Sequence, residues 1–282
     1  MTAVTRFAPS PTGFLHMGHA YSALFAKSAA KDGRFLVRIE DIDRGRCRPA
    51  FETAIFEDLA WLGLQWEAPV RRQSDHFAEY GEALDRLDKR GLLYPCFCTR
   101  ADIQREVAEA ASAPHLITHG PDGPIYPGTC RHLSKSEQHR RRDAGTPYAL
   151  RLNMAEALAI AGPLTWCDET HGIVAATPEI FGDVVLARKD ITASYHLACT
   201  WDDALQGVNL VTRGEDLLPA THIHRLLQAL WDLPVPHYRH HALLTGPDGK
   251  KFSKRDQAPT LRALREAGKS AEDVLAEIKV RE

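Results

Sequence analysis

The segment from Thr5 to Asp43 constrains the fold most tightly. Thr5 to Ala8 reads as a short strand that stops at Pro9-Ser10-Pro11-Thr12-Gly13, a turn-forming run that predicts a loop. From Gly18 to Ala30, Leu24, Phe25 and Ala29 recur at helical spacing, with Gly33 as terminator. Phe35-Leu36-Val37-Arg38-Ile39 reads as a second strand and runs into the acidic stretch Glu40-Asp41-Ile42-Asp43. A strand, a glycine-containing loop, a helix and a strand in that order specify a βαβ unit and a parallel sheet.

Residues 50–64 and 77–90 continue the pattern as helices. Between 94 and 185 the composition changes: a cysteine cluster, a polar stretch around Ala111 to Gly123, the basic run His139-Arg140-Arg141-Arg142, and short strand candidates at 148–152 and 183–187. This segment reads as an insertion in the sheet domain, which resumes over 186–240 with a buried strand at 208–212 and a helix at 220–230. Residues 241–282 hold a glycine-rich basic loop followed by helices at 260–267 and 271–278. The expected organisation is thus a discontinuous sheet domain (1–93 and 186–240), an inserted subdomain (94–185) and a short helical C-terminal region (241–282).

Hydrophobic residues make up 44% of the 282 and charged residues 26%, the proportions of an ordinary folded chain. A formal net charge of -2 argues against a protein that coats nucleic acid indiscriminately. No apolar stretch approaches the roughly eighteen residues of a membrane span, and the start lacks the basic-then-apolar order of a signal peptide. A cytoplasmic location without membrane partners is expected, where six cysteines would not form a disulfide framework.

His16-Met17-Gly18-His19 opens the first helix. Backbone N–H groups at a helix N-terminus attract phosphates, and His16 and His19 can donate to phosphate oxygens whose charge grows during attack at phosphorus. Gly18 lets a flat purine lie against the backbone. Four-residue matches occur by chance, so this motif alone balances against two exposed histidines at a helix cap. Gly246-Pro247-Asp248-Gly249-Lys250-Lys251-Phe252-Ser253-Lys254-Arg255 alone is most simply a solvated basic loop, but such a loop can also close over a polyphosphate and set Lys251, Ser253 and Lys254 on it. The two motifs together, in this order and at opposite ends of an α/β pattern, resemble the two signatures of class I aminoacyl-tRNA synthetases.

The resemblance is closer than the class. Arg6-Phe7-Ala8-Pro9-Ser10-Pro11-Thr12-Gly13, Arg38-Ile39-Glu40-Asp41-Ile42-Asp43 and Arg213-Gly214-Glu215-Asp216-Leu217-Leu218 are similar to the glutamyl-tRNA synthetase family and span most of the chain. Met17 stands where isoleucine is common and Phe252 where methionine is common; the histidines, Gly18, Ser253 and Lys254 are intact. The fold implied is a class I synthetase Rossmann-type α/β parallel sheet with an inserted α+β zinc-containing subdomain. The activity implied is attack of the L-glutamate carboxylate on ATP, with Mg2+, His16, His19 and Lys254 stabilising charge as pyrophosphate leaves. ATP would contact His16, Gly18, His19, Lys251, Ser253 and Lys254. The glutamate-binding positions of the family fall on Arg6, Phe7, Ala8, Pro9, Ser10, Glu40, Tyr195 and Arg213. An arginine fork suits a carboxylate and an acid suits the ammonium. Read without the family, Arg38 and Glu40 make a plain salt bridge and Tyr195 a core residue. Lys189-Asp190-Ile191 departs from the family in carrying isoleucine where glycine is frequent.

Cys96-Phe97-Cys98 and Cys130 offer three thiolates, and composition nominates His115, His119 or His132 as a fourth zinc ligand. Short relatives in the family instead carry Cys-x-Cys…Tyr-x-x-x-Cys, which implies Cys96, Cys98, Tyr126 and Cys130 around one structural Zn2+. Three buried free cysteines are the alternative.

The chain stops soon after Arg255, with little room for a full anticodon-binding module. A short branch of the family shares that layout. It activates glutamate without tRNA and transfers it to queuosine in the anticodon loop of tRNA(Asp), which makes queuosine-containing tRNA(Asp) the expected partner of a monomer. A reduced synthetase that charges tRNA(Glu), a nucleotidyltransferase of the HxGH class and a catalytically silent RNA-binding module are the competing readings. Arg140-Arg141-Arg142 reads as a solvated face, with RNA phosphates as the alternative.

Overall fold

The N-terminal βαβ unit is present in the computed structural model, which describes residues 2–110, 119–188, 192–244 and 259–280. Strand β1 (Val4–Phe7) passes through the Pro/Gly loop into α1 (Met17–Ala30) and on to β2 (Arg34–Ile39), parallel to β1. Helix α1 turns Ala20, Ala23, Ala26, Ala29 and Ala30 inward, a small-residue face that lets it lie close to the strands. Thr5 Oγ1 donates to Ala26 O across that contact at 2.8 Å. A Cβ on Gly33 would stand 2.0 Å from Ala3 O, so the chain can start β2 there only as glycine.

Helix α2 (Pro49–Trp61) leads to β3 (Glu67–Arg72), parallel to β2, and α3 (Phe77–Lys89) follows. The middle of the chain comprises β4 (Leu93–Cys96), α4 (Arg100–Ala110), β5 (His119–Gly120), β6 (Gly123–Pro124), α5 (Lys135–Asp143), β7 (Ala149–Leu152), α6 (Met154–Ala161), β8 (Thr165–Asp168), β9 (Gly172–Ala175) and β10 (Val185–Arg188). The remainder is α7 (Tyr195–Leu205), β11 (Leu210–Gly214), α8 (Ala220–Leu230), β12 (His237–His241), α9 (Leu261–Glu266) and α10 (Ala271–Val280).

Strands β4, β7 and β10 form a small antiparallel sheet in the order β10-β7-β4. Within 94–185, the hairpin β8–β9 goes elsewhere: β8 pairs in parallel with β12, which pairs with β11. Asn209 fastens this half of the main sheet to the N-terminal half. Val4 N donates to Asn209 Oδ1 at 2.7 Å and Asn209 N to Val4 O at 3.2 Å, setting β1 beside β11. Ala23, Ile55, Leu59, Leu261 and Ile278 cover one face through α1, α2, α9 and α10. Tyr80, Leu87, Leu197, Trp201, Ile223 and Leu227 cover the other through α3, α7 and α8. In such a doubly wound sheet the ligand crevice opens beyond the carboxyl ends of the strands at the switch point, here between β1 and β11. Among the described residues no helix is long and apolar enough to cross a membrane.

A buried ionic knot lies beneath that crevice. Arg6 of β1 and Arg38 of β2 both donate to Asp203 Oδ1 of α7, at 3.0 and 2.7 Å. Arg38 also donates to Glu40 Oε1 at 3.1 Å. The neighbouring Asp202 accepts from Arg71, Gln73 and Tyr80 at 2.8, 2.9 and 2.8 Å. Arg38 and Asp202 are fully buried. Burial acts to raise the Asp203 carboxyl, but Arg6 and Arg38 outweigh it and hold the group at about 2. Asp203→Asn leaves two guanidiniums without their shared anion, and urea unfolding at pH 7 is expected to show a loss of about 3–5 kcal/mol. Because the folded value is depressed, this contribution is whole above the ordinary aspartate range near ~4 and fades as pH falls toward about 2. A variant as stable as the parent at pH 7 would contradict this account.

Candidate active site

Helix α1 begins with reciprocal caps made by its own histidines. His16 Nδ1 accepts from Gly18 N at 3.2 Å, and His19 Nδ1 accepts from His16 N at 3.2 Å. The two capping contacts both use Nδ1, and the ring centroids lie 3.8 Å apart. The local hydrogen bonds that start the helix thus set both imidazole rings at its electropositive end.

These histidines line one wall of a cavity of about 570 Å3. Arg6, Phe7, Ala8, Ser10, Gly18, Glu40, Tyr195 and Arg213 line it as well, so residues from distant parts of the chain meet in one crevice. Pro9 does not line it; its carbonyl accepts Glu40 N–H at 3.0 Å and so fixes the height of Glu40. Arg38 is also absent from the walls and acts from beneath, taking one Glu40 oxygen. The salt bridge between Arg38 and Glu40 is thus real, and Glu40 lines the cavity all the same. Burial raises the Glu40 carboxyl, opposed by Arg38 and Arg6.

Arg6 and Arg213 differ in their partners. Arg6 is neutralised by Asp203 and donates to Thr212 O at 3.0 Å. Arg213, on β11, has no carboxylate in ion-pair range among the described residues. Its Nε donates to His240 Nε2 at 3.2 Å, and its Nη1 lies 3.2 Å from His224 Nδ1 and 3.5 Å from Tyr195 Oη. Its Nη2 donates to Thr221 Oγ1. Among the described residues, one of the five guanidinium donors, on Nη2, and the Tyr195 O–H have no acceptor. A buried cation held by neutral groups beside a hydroxyl suits a carboxylate ligand.

His241, Tyr21, Ser22 and Asp216 also line the walls. Sequence reasoning missed them, as it missed Thr221, His224, His240, Asp202 and Asp203. Two signals were present: an adjacent acid pair inside an apolar helix, and three histidines within His237-Tyr238-Arg239-His240-His241. A Cβ on Gly214 would meet the side-chain ends of Asp216 and Leu243, each at 2.7 Å, so any side chain there would have to displace both.

The second signature, with Lys251, Ser253 and Lys254, lies outside the described residues. Its flanks do not. Leu244 lines the cavity before it, and after it Thr260 bridges to His16 while Leu261 N donates to Leu15 O at 2.8 Å. Lys189-Asp190-Ile191 and His115 also lie outside the described residues.

Cys96, Cys98 and Cys130 put their sulfurs within 4.8 Å of one another. Cys98 Sγ stands 3.5 Å from both Cys130 Sγ and Tyr126 Oη. Neighbouring sulfurs on a tetrahedral zinc, with Zn–S of about 2.3 Å, lie about 3.8 Å apart, so the donor set fits that ion. Neither His119 nor His132 joins the group. Arg141 stacks over Phe97 beside it, while Arg140 and Arg141 pair with Glu137 and Arg142 covers Tyr148.

Residues 2–281 match the family described as tRNA synthetases class I (E and Q), catalytic domain. The chain is 48% identical over 278 residues to the glutamyl-Q tRNA(Asp) synthetase of Rhodobacter capsulatus, covering 96% of this chain and 98% of that one. It is 44% identical over 273 residues to the protein of the same name from Nocardia farcinica, covering 96% and 82%. Among solved structures, a glutamate tRNA ligase from Elizabethkingia meningosepticum, in complex with its amino acid, superposes with a TM-score of 0.80 at 28% identity. That match covers 99% of this chain and 60% of the ligase. The chain belongs to the family of class I tRNA synthetases (E and Q).

Proposed function

We propose that this chain activates L-glutamate with ATP and transfers the glutamyl group to queuosine in the anticodon loop of tRNA(Asp). The observation that carries the first step is the joining of the capped His16/His19 pair, Glu40 and the carboxylate-free Arg213 in one cavity. Glutamate lies with its ammonium toward Glu40 and its side-chain carboxylate against Arg213 and Tyr195. Arg6, Phe7, Ala8 and Ser10 line the floor. ATP enters as its Mg2+ complex over Gly18, with phosphate oxygens toward the His16 and His19 rings that line the cavity. Lys251, Ser253 and Lys254 serve the same phosphates from a segment whose two flanks border the cavity. The glutamate α-carboxylate attacks the α-phosphorus, the bond to pyrophosphate breaks, and charge building on the phosphate oxygens is met by donors already in place.

For the second step, the names of the Rhodobacter and Nocardia relatives, at 48% and 44% identity, favour queuosine of tRNA(Asp) over charging of tRNA(Glu). A queuosine hydroxyl attacks the acyl carbon of the mixed anhydride and AMP leaves. Cys96, Cys98, Tyr126 and Cys130 would hold one structural zinc ion, which supplies a rigid cross-link between the chain after β4 and the loop before α5.

Glutamate-dependent ATP–pyrophosphate exchange without tRNA is expected, together with transfer to tRNA(Asp) that requires queuosine; transfer to tRNA(Glu) alone would refute the acceptor. His16→Ala and Lys254→Ala should each lower exchange by about 100-fold, the usual effect of removing one donor to a developing oxyanion. Cys130→Ser should lower bound zinc, read by elemental analysis, and the thermal midpoint far more than it lowers exchange per folded molecule. Equal zinc content in variant and parent would rule Cys130 out as a ligand.

A further inference from the structure

Arg213 sits where three elements converge, and its contacts among the described residues are all with neutral groups. His240 of β12 stands directly opposite it in the parallel register. Arg213 Nε–H donates to His240 Nε2 at 3.2 Å, so that nitrogen carries a lone pair and the ring proton sits on Nδ1. Nδ1 meets Asp168 Oδ2 at 2.5 Å, and both side chains are fully buried. Asp168 is itself pinned: its Oδ1 accepts from Thr170 N at 2.8 Å, His171 N at 3.0 Å and His171 Nδ1 at 3.0 Å. A second arm repeats the pattern. Arg213 Nη1 lies 3.2 Å from His224 Nδ1, and His224 Nε2 lies 3.3 Å from His196 Nδ1.

Asp168, His171 and His240 also have the spacing of a metal site, with donor atoms within 4.8 Å of one another. The contacts speak against a metal. Oδ1 of Asp168 is already taken by two backbone N–H groups, and 2.5 Å between Oδ2 and Nδ1 is a hydrogen-bond length, shorter than two ligands around one ion adopt.

We propose that Asp168 and His240 are positioning residues for Arg213: Asp168 locks His240 as the Nδ1–H tautomer, and His240 then offers Arg213 only a lone pair. The guanidinium plane is fixed without a contacting anion among the described residues, so its charge stays available to the substrate carboxylate. Burial and the nearby Arg213 push His240 down to about 4, which keeps the ring neutral in this setting. The inference rests on the reading that Arg213 contacts the glutamate side chain.

Asp168→Asn tests it. The Thr170 and His171 N–H groups require an oxygen at the Oδ1 position, so the new amide turns its NH2 to His240 Nδ1. That nitrogen must then accept, the ring proton moves to Nε2, and two donors face each other at Arg213. In pyrophosphate exchange the KM for glutamate should rise about ten- to a hundredfold, the worth of one hydrogen bond to a charged group, with the KM for ATP unchanged. Arg213→Ala is run in parallel. If it raises the glutamate KM while a folded Asp168→Asn variant does not, the positioning role is wrong and the reading of Arg213 stands. If Arg213→Ala leaves the glutamate KM unchanged, the reading of Arg213 itself falls. Should Asp168→Asn fail to fold, nitrogen-15 NMR of the histidines in the parent protein decides: His240 as Nδ1–H supports the proposal, and Nε2–H overturns it.

Discussion

Asp203 is where the sheet, the helical layer and the cavity are fastened together. Arg6 and Arg38 come from neighbouring parallel strands, and two guanidiniums placed side by side in a buried setting repel. A single carboxylate oxygen accepting from both turns that repulsion into a tie across β1, β2 and α7. The tie sets the rotation of α7. Cys199, one turn before Asp203, packs its sulfur 3.8 Å from Arg6 and 3.6 Å from Arg38. Burial, with Asp203 and Glu40 nearby, pushes that thiol up to about 12, so it remains neutral and does not compete for the arginines. The same rotation places Tyr195, at the N-terminus of α7, in the cavity wall. Glu40 depends on the knot from the other side, because Arg38 holds one of its oxygens.

Elements that bury an apolar face were legible in the sequence, and two strands built from polar residues were not. The spacing of Leu24, Phe25 and Ala29 found α1, and Ala220 to Leu230 found α8 to the residue. Strand β12 went unread because its residues, His237-Tyr238-Arg239-His240-His241, are polar. In the structure His240 serves Arg213 and His241 the cavity, so the usual hydrophobic signal of a central strand is replaced by function. Strand β3, Glu67-Ala68-Pro69-Val70-Arg71-Arg72, is an edge strand whose arginines are consumed by ion pairs to Asp202, Glu79 and Glu52. The cavity residues came from motif resemblance, which carries Arg6, Glu40 and Arg213 but not the groups behind them. No local pattern ties Asp168 to Arg213, because His240, which links the two, stands on another strand.

At α1, folding and chemistry use the same bonds. A serine or aspartate cap would satisfy the first helical N–H groups equally well. Histidine does so with Nδ1, and in each case the capping contact fixes how the ring is turned toward the cavity. On the proposed reading, rings already held by the fold need little reorganisation when charge builds up on phosphate, which is the condition for strong electrostatic stabilisation.

The contrast between Arg6 and Arg213 bears on how the cavity separates a carboxylate from the isosteric amide. An arginine already paired with an anion, as Arg6 is with Asp203, gains little from a second one and would accept an amide oxygen almost as well. Arg213, held by lone pairs of His240 and His224, is a buried charge with its counterion missing among the described residues. A carboxylate supplies that counterion. An amide offers only a neutral acceptor, and the hydrogen bond to a charged partner on both sides exceeds the one-sided bond by about 1–2 kcal/mol. The amide also leaves the guanidinium uncompensated in a low-dielectric wall, which adds a desolvation cost that the carboxylate avoids. On the proposed reading of Arg213, selectivity resides in the neutral histidines that surround it as much as in its own charge. A carboxylate substituted into that shell would leave the cation in place and remove its preference.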